Sequence, residues 1–261
     1  MSEFKVNTIT NRDGSYGPQV CGITTFGSSG LQLPSGPTDF RGGRGRGIFF
    51  GGDPADPGNM TSVEIATLGN GTDFGSLANN LANCKGCASS TRGLIMGGGT
   101  PTIQSGIQGV IISSSGGVFD FGDLTEARND TQAVANNVRG ISAGGSNPAK
   151  VTGIEFVTIS SAGDAISFGN DSFSRQENYA AFGSATRGIF AGGFDSPVSV
   201  SNINYFTFSS TGDASDFGDL ILQSTYMSGN NCSSPTRGIL AGGHPQLTPI
   251  IQFYNIQSKG D

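Results

Sequence analysis

The chain has 261 residues, 43 of them glycine, with 14 basic and 20 acidic side chains and a net charge of -6. The glycines follow no three-residue period, which excludes collagen, and an apolar content of 35% gathered in short β-like runs argues against disorder. The acidic balance is the wrong sign for affinity built on phosphate neutralisation, and no apolar stretch approaches the roughly 20 residues that span a bilayer, so neither nucleic acid nor membrane insertion is expected.

At the start of the chain, Phe4, Val6 and Ile9 fall in an alternating stretch, and Asn11-Arg12-Asp13-Gly14 reads as a turn, so residues 4–23 are expected to form a hairpin. An isolated two-stranded hairpin is barely stable in water. Residues 1–21 are therefore read as an N-terminal extension that docks onto another protein by strand addition, with Phe4, Val6, Ile9, Arg12, Tyr16 and Val20 as the contact residues; the alternative is that they fold back on the rest of the chain.

From Arg46 onward the chain repeats. Arg-Gly-apolar-x-x-Gly-Gly occurs at Arg46, Arg92, Arg139, Arg187 and Arg237, at intervals of 46, 47, 48 and 50 residues. A Phe-Gly pair follows each of the first four arginines by 28 to 30 residues, at Phe74, Phe121, Phe168 and Phe217. Runs such as Ile154 to Ile159 and Ile203 to Phe208 separate these markers, so each unit reads as about four short strands with glycine-rich turns. That period with four strands is the mark of a propeller blade, and helix content is expected to be near zero.

The fifth unit, from Arg237, is cut short at Asp261, while Phe26-Gly27 precedes Arg46 by 20 residues, close to the 18 to 20 seen elsewhere. The expected fold is all-β: residues 22–261 form a five-bladed propeller closed by N- and C-terminal strands sharing one blade. Ile23, Phe26 and Ile251 are expected to cover the seam, which removes two open sheet edges.

At RGIFAGG and DFGDL the repeats resemble the kelch-like propeller family, with Phe74, Phe121, Phe168 and Phe217 in the aromatic slot that kelch blades give to Tyr and Trp. The opening MSEFKVNTITNRDGSYGPQVCGITTFGSSG, with the LPSGPT that follows, resembles the leader of virion structural proteins of tailed marine cyanophages. That resemblance implies a non-enzymatic particle component, assembled in the host cytoplasm into the virion in multiple copies and held to other virion proteins through its N-terminal segment.

Catalytic and metal chemistry is sparse. A single histidine, His244, leaves no second imidazole for a metal site or the copper centre of galactose oxidase, and a catalytic triad would depend on it alone; it reads as a solvated loop residue. Cys84-Lys85-Gly86-Cys87 is a CxxC, yet Cys87 and Cys232 both stand five residues before a repeat arginine, where other units carry Val134 and Phe182, so they read as inward structural thiols. No cofactor or metal is expected. The phased arginines are read as structural, with Asp120, Asp123, Asp216 and Asp219 as candidate partners.

The segments after each glycine pair vary most and should cluster on one face of the disc, where a rigid scaffold presents variable polar loops. Candidate binding residues there are Asp53, Asp56, Asn59, Thr102, Gln104, Asn147, Lys150, Asp195, Ser196, His244 and Gln246. The function expected is a tail, fibre, baseplate or neck component whose propeller attaches to host envelope glycans; the alternative is a purely architectural head or neck decoration without receptor binding.

Overall fold

The computed structural model describes residues 24–25, 31–32, 45–51, 58–65, 67–99, 101–175, 179–195, 197–226, 231–244 and 249–258. These contain strands and turns and no helix. Thr24–Thr25 (β1) pairs with Leu31–Gln32 (β2). The first blade is Arg46–Phe50 (β3), Asn59–Glu64 (β4) and Thr72–Ser76 (β5). The second is Lys85–Ala88 (β6), Arg92–Met96 (β7), Gly106–Ile111 (β8) and Phe119–Asp123 (β9). Gln132–Ala135 (β10), Arg139–Ala143 (β11), Gly153–Thr158 (β12) and Ile166–Asn170 (β13) make the third. The fourth is Ala180–Gly183 (β14), Arg187–Ala191 (β15), a small hairpin of Phe194–Asp195 (β16) and Val198–Ser199 (β17), then Asn202–Thr207 (β18) and Ser215–Asp219 (β19). Asn231–Ser233 (β20), Arg237–Ala241 (β21) and Ile251–Asn255 (β22) make the fifth.

Five antiparallel sheets arranged in this way are a five-bladed β-propeller, as the repeat predicts. β10 lies beside β6 and β14, and β14 beside β20, so in the second to fifth blades the strand before the repeat arginine lines the axis, and β3, β4 and β5 of the first blade match the second, third and fourth strands of the others. In the described pairings the fifth sheet has three strands, because Thr24–Thr25 pairs with Leu31–Gln32 and not with β22. Phe26 and Ile23 lie outside the described residues, as does the expected docking hairpin with Phe4, Val6, Ile9, Arg12, Tyr16 and Val20.

The Phe-Gly marker has a geometric cause. Ile154 pairs with Gly169 and Glu155 with Ser167, so Phe168 is the extra residue of a β-bulge; Phe74, Phe121 and Phe217 occupy the same place in their blades. The bulge turns each ring inward, and all four are buried, each contributing about 1.5 to 3 kcal/mol of apolar burial. The following glycine is required by contact. At Gly122, φ is +148° and an added Cβ would sit 2.5 Å from the Gly163 carbonyl oxygen of the next blade. Gly75 meets Gly116, and Gly169 meets Gly212, in the same manner.

Two further contacts recur between neighbouring blades. A polar side chain on the third strand reaches back to the preceding blade: Gln108 Oε1 accepts from the Ala78 amide at 2.9 Å, Glu155 Oε2 from Thr125 at 2.7 Å, and Gln252 Oε1 from Ile221 at 3.0 Å. The repeat arginines reach forward. Arg46 donates to the Ile112 carbonyl at 3.1 Å, Arg92 to Ile159 at 3.0 Å, Arg139 to Phe208 at 2.5 Å and Arg187 to Ile256 at 3.1 Å. These four arginines are thus structural, but their forward partners are backbone carbonyls of the next blade and not the aspartates named from sequence; Arg46 also pairs with Glu64 of its own blade at 2.9 Å. Asp123 and Asp219 instead accept from Ser105 and Ser201.

Candidate functional site

Because neighbouring strands are antiparallel, the loops joining second to third strands emerge on the same face as those joining an outer strand to the next inner strand. The first of each glycine pair makes the exit turn: Gly144 has φ +63°, and a Cβ there would meet the Arg175 carbonyl oxygen at 2.6 Å. Five of these loops carry the candidate binding residues, of which Asp53, Asp56, Ser196 and Gln246 lie outside the described residues.

The remaining candidates do not form one pocket. Asn59 opens β4, and Thr102 and Asn147 are exposed in separate loops. Gln104 is tied down by accepting from Asn79 Nδ2 at 3.2 Å. Lys150 and Asp195 do come together, from the third and fourth blades: Nζ lies 3.6 Å from Oδ1, and the ammonium stands 5.4 Å from the centre of the Phe194 ring. A half-buried pair at this distance contributes little stability, which leaves both groups with polar capacity toward solvent.

A second cluster lies beside the first. The Gly193 amide, next to Phe194, donates to the Ser224 carbonyl at 2.8 Å, which ties the fourth-blade hairpin to the loop entering the fifth blade. Thr225 and His244 exchange backbone hydrogen bonds at 2.8 and 3.0 Å. The rings of Tyr226 and His244 meet edge to face, with centroids 5.8 Å apart at 83°. His244 is exposed, as expected, but it is the partner of an aromatic ring and not an isolated loop residue.

Tyr226 was not visible as a site residue from composition or motif. Its backbone is left-handed, with φ +53°, and the equivalent positions of two other blades, nine residues after Phe-Gly, are Asn83 and Asp130 with φ of 56° and 53°. Asn and Asp tolerate that region, whereas a bulky ring there is costly. The fourth blade therefore holds a half-exposed tyrosine, 51% accessible, where the first two blades hold a short polar residue. Aligning the units on Phe-Gly would have exposed the substitution.

The cysteines separate into two environments. Cys84 packs toward the Leu81 carbonyl, and burial pushes its thiol up to about 11, which keeps it protonated and unreactive. Cys87 and Cys232 line a cavity of about 180 Å³ on the axis, with Val134 and Phe182. The expectation of a buried thiol fails for Cys232, which is exposed, because no described part of the first blade covers that side of β20. Among the described residues no three His, Cys, Asp or Glu side chains gather as a metal site would need, and no helix is long and apolar enough to cross a membrane.

Comparison with protein-family models and with curated proteins finds no match.

Proposed function

We propose that the protein is a non-enzymatic structural component of a tailed-phage virion, displaying its propeller for attachment to glycans of the host envelope. The observation that carries this reading is the Tyr226–His244 pair, an exposed aromatic edge held in a costly backbone conformation next to the Lys150–Asp195 pair. Residues kept in sparsely populated backbone regions tend to serve function. An aromatic face that stacks on a sugar ring, beside groups able to donate to and accept from hydroxyls, suits a carbohydrate. The low charge content of 13% and the net negative charge favour neutral over acidic glycans. On this reading residues 1–21 hold the protein to its neighbours in the particle, and the disc faces outward.

The test is binding of fluorescently labelled protein to host and non-host cells, with Tyr226→Ala and His244→Ala variants alongside. Host-selective binding that both substitutions abolish, with circular dichroism unchanged, supports attachment. Equal or absent binding to both cell types removes the adhesive role and leaves an architectural one.

A further inference from the structure

Four blade interfaces are formed alike, and the fifth, between the last blade and the first, can be written out from their rule. The third-strand residue facing the next blade is Met60, Ile107, Ile154 or Ile203, and each is buried; its counterpart in the fifth blade, Ile251, is 70% exposed. The residue whose carbonyl takes the arginine is Ile112, Ile159, Phe208 or Ile256, again buried, while its counterpart in the first blade, Ile65, is 72% exposed. Phe253 on the fifth blade and Phe49 on the first are likewise open, at 66% and 63%. By the register of the repeat, these two apolar faces are the ones directed at each other.

The inner strands follow a rule of their own. In two of the blades the side chain five residues before the repeat arginine lies against the glycine just after the arginine of the following blade: Cys87 Sγ is 3.1 Å from where a Gly140 Cβ would stand, and Phe182 covers Gly238. Continued around the ring, this rule sets Cys232 against Gly47.

We propose that the fifth interface is a latch, in which the face bearing Ile239, Ile251 and Phe253 closes on the first blade's Phe49 and Ile65, Arg237 donates to the Ile65 carbonyl, and Cys232 is covered at Gly47. The occupant of the exposed face is the chain's own first blade, because the third-strand and arginine contacts of the missing interface have formed counterparts at the other four, and its inner-strand contact has them at two. The exposed thiol of Cys232 makes the latch readable. The inference does not depend on what the loop face binds.

The experiment is timed labelling of the full chain with a maleimide under native conditions, with Cys232 followed by peptide mass spectrometry and the oligomeric state by analytical ultracentrifugation. Closure predicts a monomer in which Cys232 reacts at least about tenfold more slowly than in urea, as expected for a group protected by local structure. Arg237→Ala and Phe49→Asp should each restore fast labelling without loss of the β-sheet circular dichroism signal. Cys232 reacting natively at the denatured rate would overturn the latch. So would protection that disappears on dilution together with a dimer, which would assign the face to a second copy. Protection unaffected by Phe49→Asp in a folded monomer would also overturn it, since some segment other than the first blade would then be the cover.

Discussion

Arg187, in the fourth blade, donates through Nη1 to the carbonyls of Ile256 and Gln257 in the fifth, at 3.1 and 2.9 Å, with its guanidinium 5.0 Å from the centre of the Tyr205 ring. One side chain thus fastens two blades while covering an aromatic face of its own. Hydrogen bonds from a charged donor contribute about 1.5 to 3 kcal/mol, and partial exposure lowers this, so Arg187→Ala should cost about 1 to 2 kcal/mol. The urea midpoint should fall accordingly, and Arg187→Lys should recover only part of the loss, because an ammonium lacks the planar group that lies against the Tyr205 ring while its Nη1 donates to both carbonyls.

The Gly122 contact predicts a sharp contrast between two glycines. Gly122→Ala places a methyl against the Gly163 backbone at a positive φ and should destabilise by about 2 kcal/mol or more. Gly106 has no atom within 4 Å of a built Cβ and no positive φ, so Gly106→Ala should change stability by less than about 0.5 kcal/mol. Thermal unfolding of the pair measures both, and equal melting points would refute the contact argument.

Between the second and third blades, Arg128 Nη2 and Glu155 Oε1 lie 2.7 Å apart, and both side chains are buried. Glu155→Ala strands the buried guanidinium and should cost about 3 to 5 kcal/mol. The first and second blades meet with Leu81 and Gln108 at the same two positions. The double replacement Arg128→Leu with Glu155→Gln should therefore recover most of that loss, read as a coupling energy in a double-mutant cycle.

Alkaline pH should weaken the fold. Burial raises the Cys84 thiol from 9.0 to about 11 and Tyr254 from 10.0 to about 12, and pushes Tyr179 up as well. For each, the unfolded chain loses its proton first, so the stabilisation is complete below the unfolded value and lost as pH climbs through the folded one. Burial lowers Lys85, which acts in the opposite direction. With three groups against one, denaturation midpoints should decline between about pH 9 and 12. A Cys84→Ala variant should show a shallower decline.

Blade count, strand order within a blade and the inward phenylalanines were legible in the sequence, because a period of 46 to 50 residues with Phe-Gly at a constant offset fixes where each strand must fall. The arginines were legible as structural but not in their partners. Aspartates near them in sequence look suitable, yet the curvature of the ring brings a carbonyl from roughly 66 to 69 residues away. The exposure of Cys232 has a related cause: no described strand of the first blade, at the other end of the chain, lies over β20. At the candidate site, variable loops mark Lys150, Asp195 and His244 as candidates, but loop position does not determine which side chains meet across blades. A single tyrosine carries no motif, so Tyr226 is illegible in sequence; its meaning lies in the backbone conformation it is forced to accept.

The glycine-on-glycine contacts at Gly75, Gly122 and Gly169 set the distance between consecutive blades by main-chain thickness alone. Side chains in the gaps are then relieved of acting as spacers. Within that fixed wedge they can differ from gap to gap, as Leu94 with Met96 in the second blade and Ile141 with Ala143 in the third do. Such a chain can drift far in its interior and still turn through the same circle, which leaves the punctuation as the durable part of its sequence.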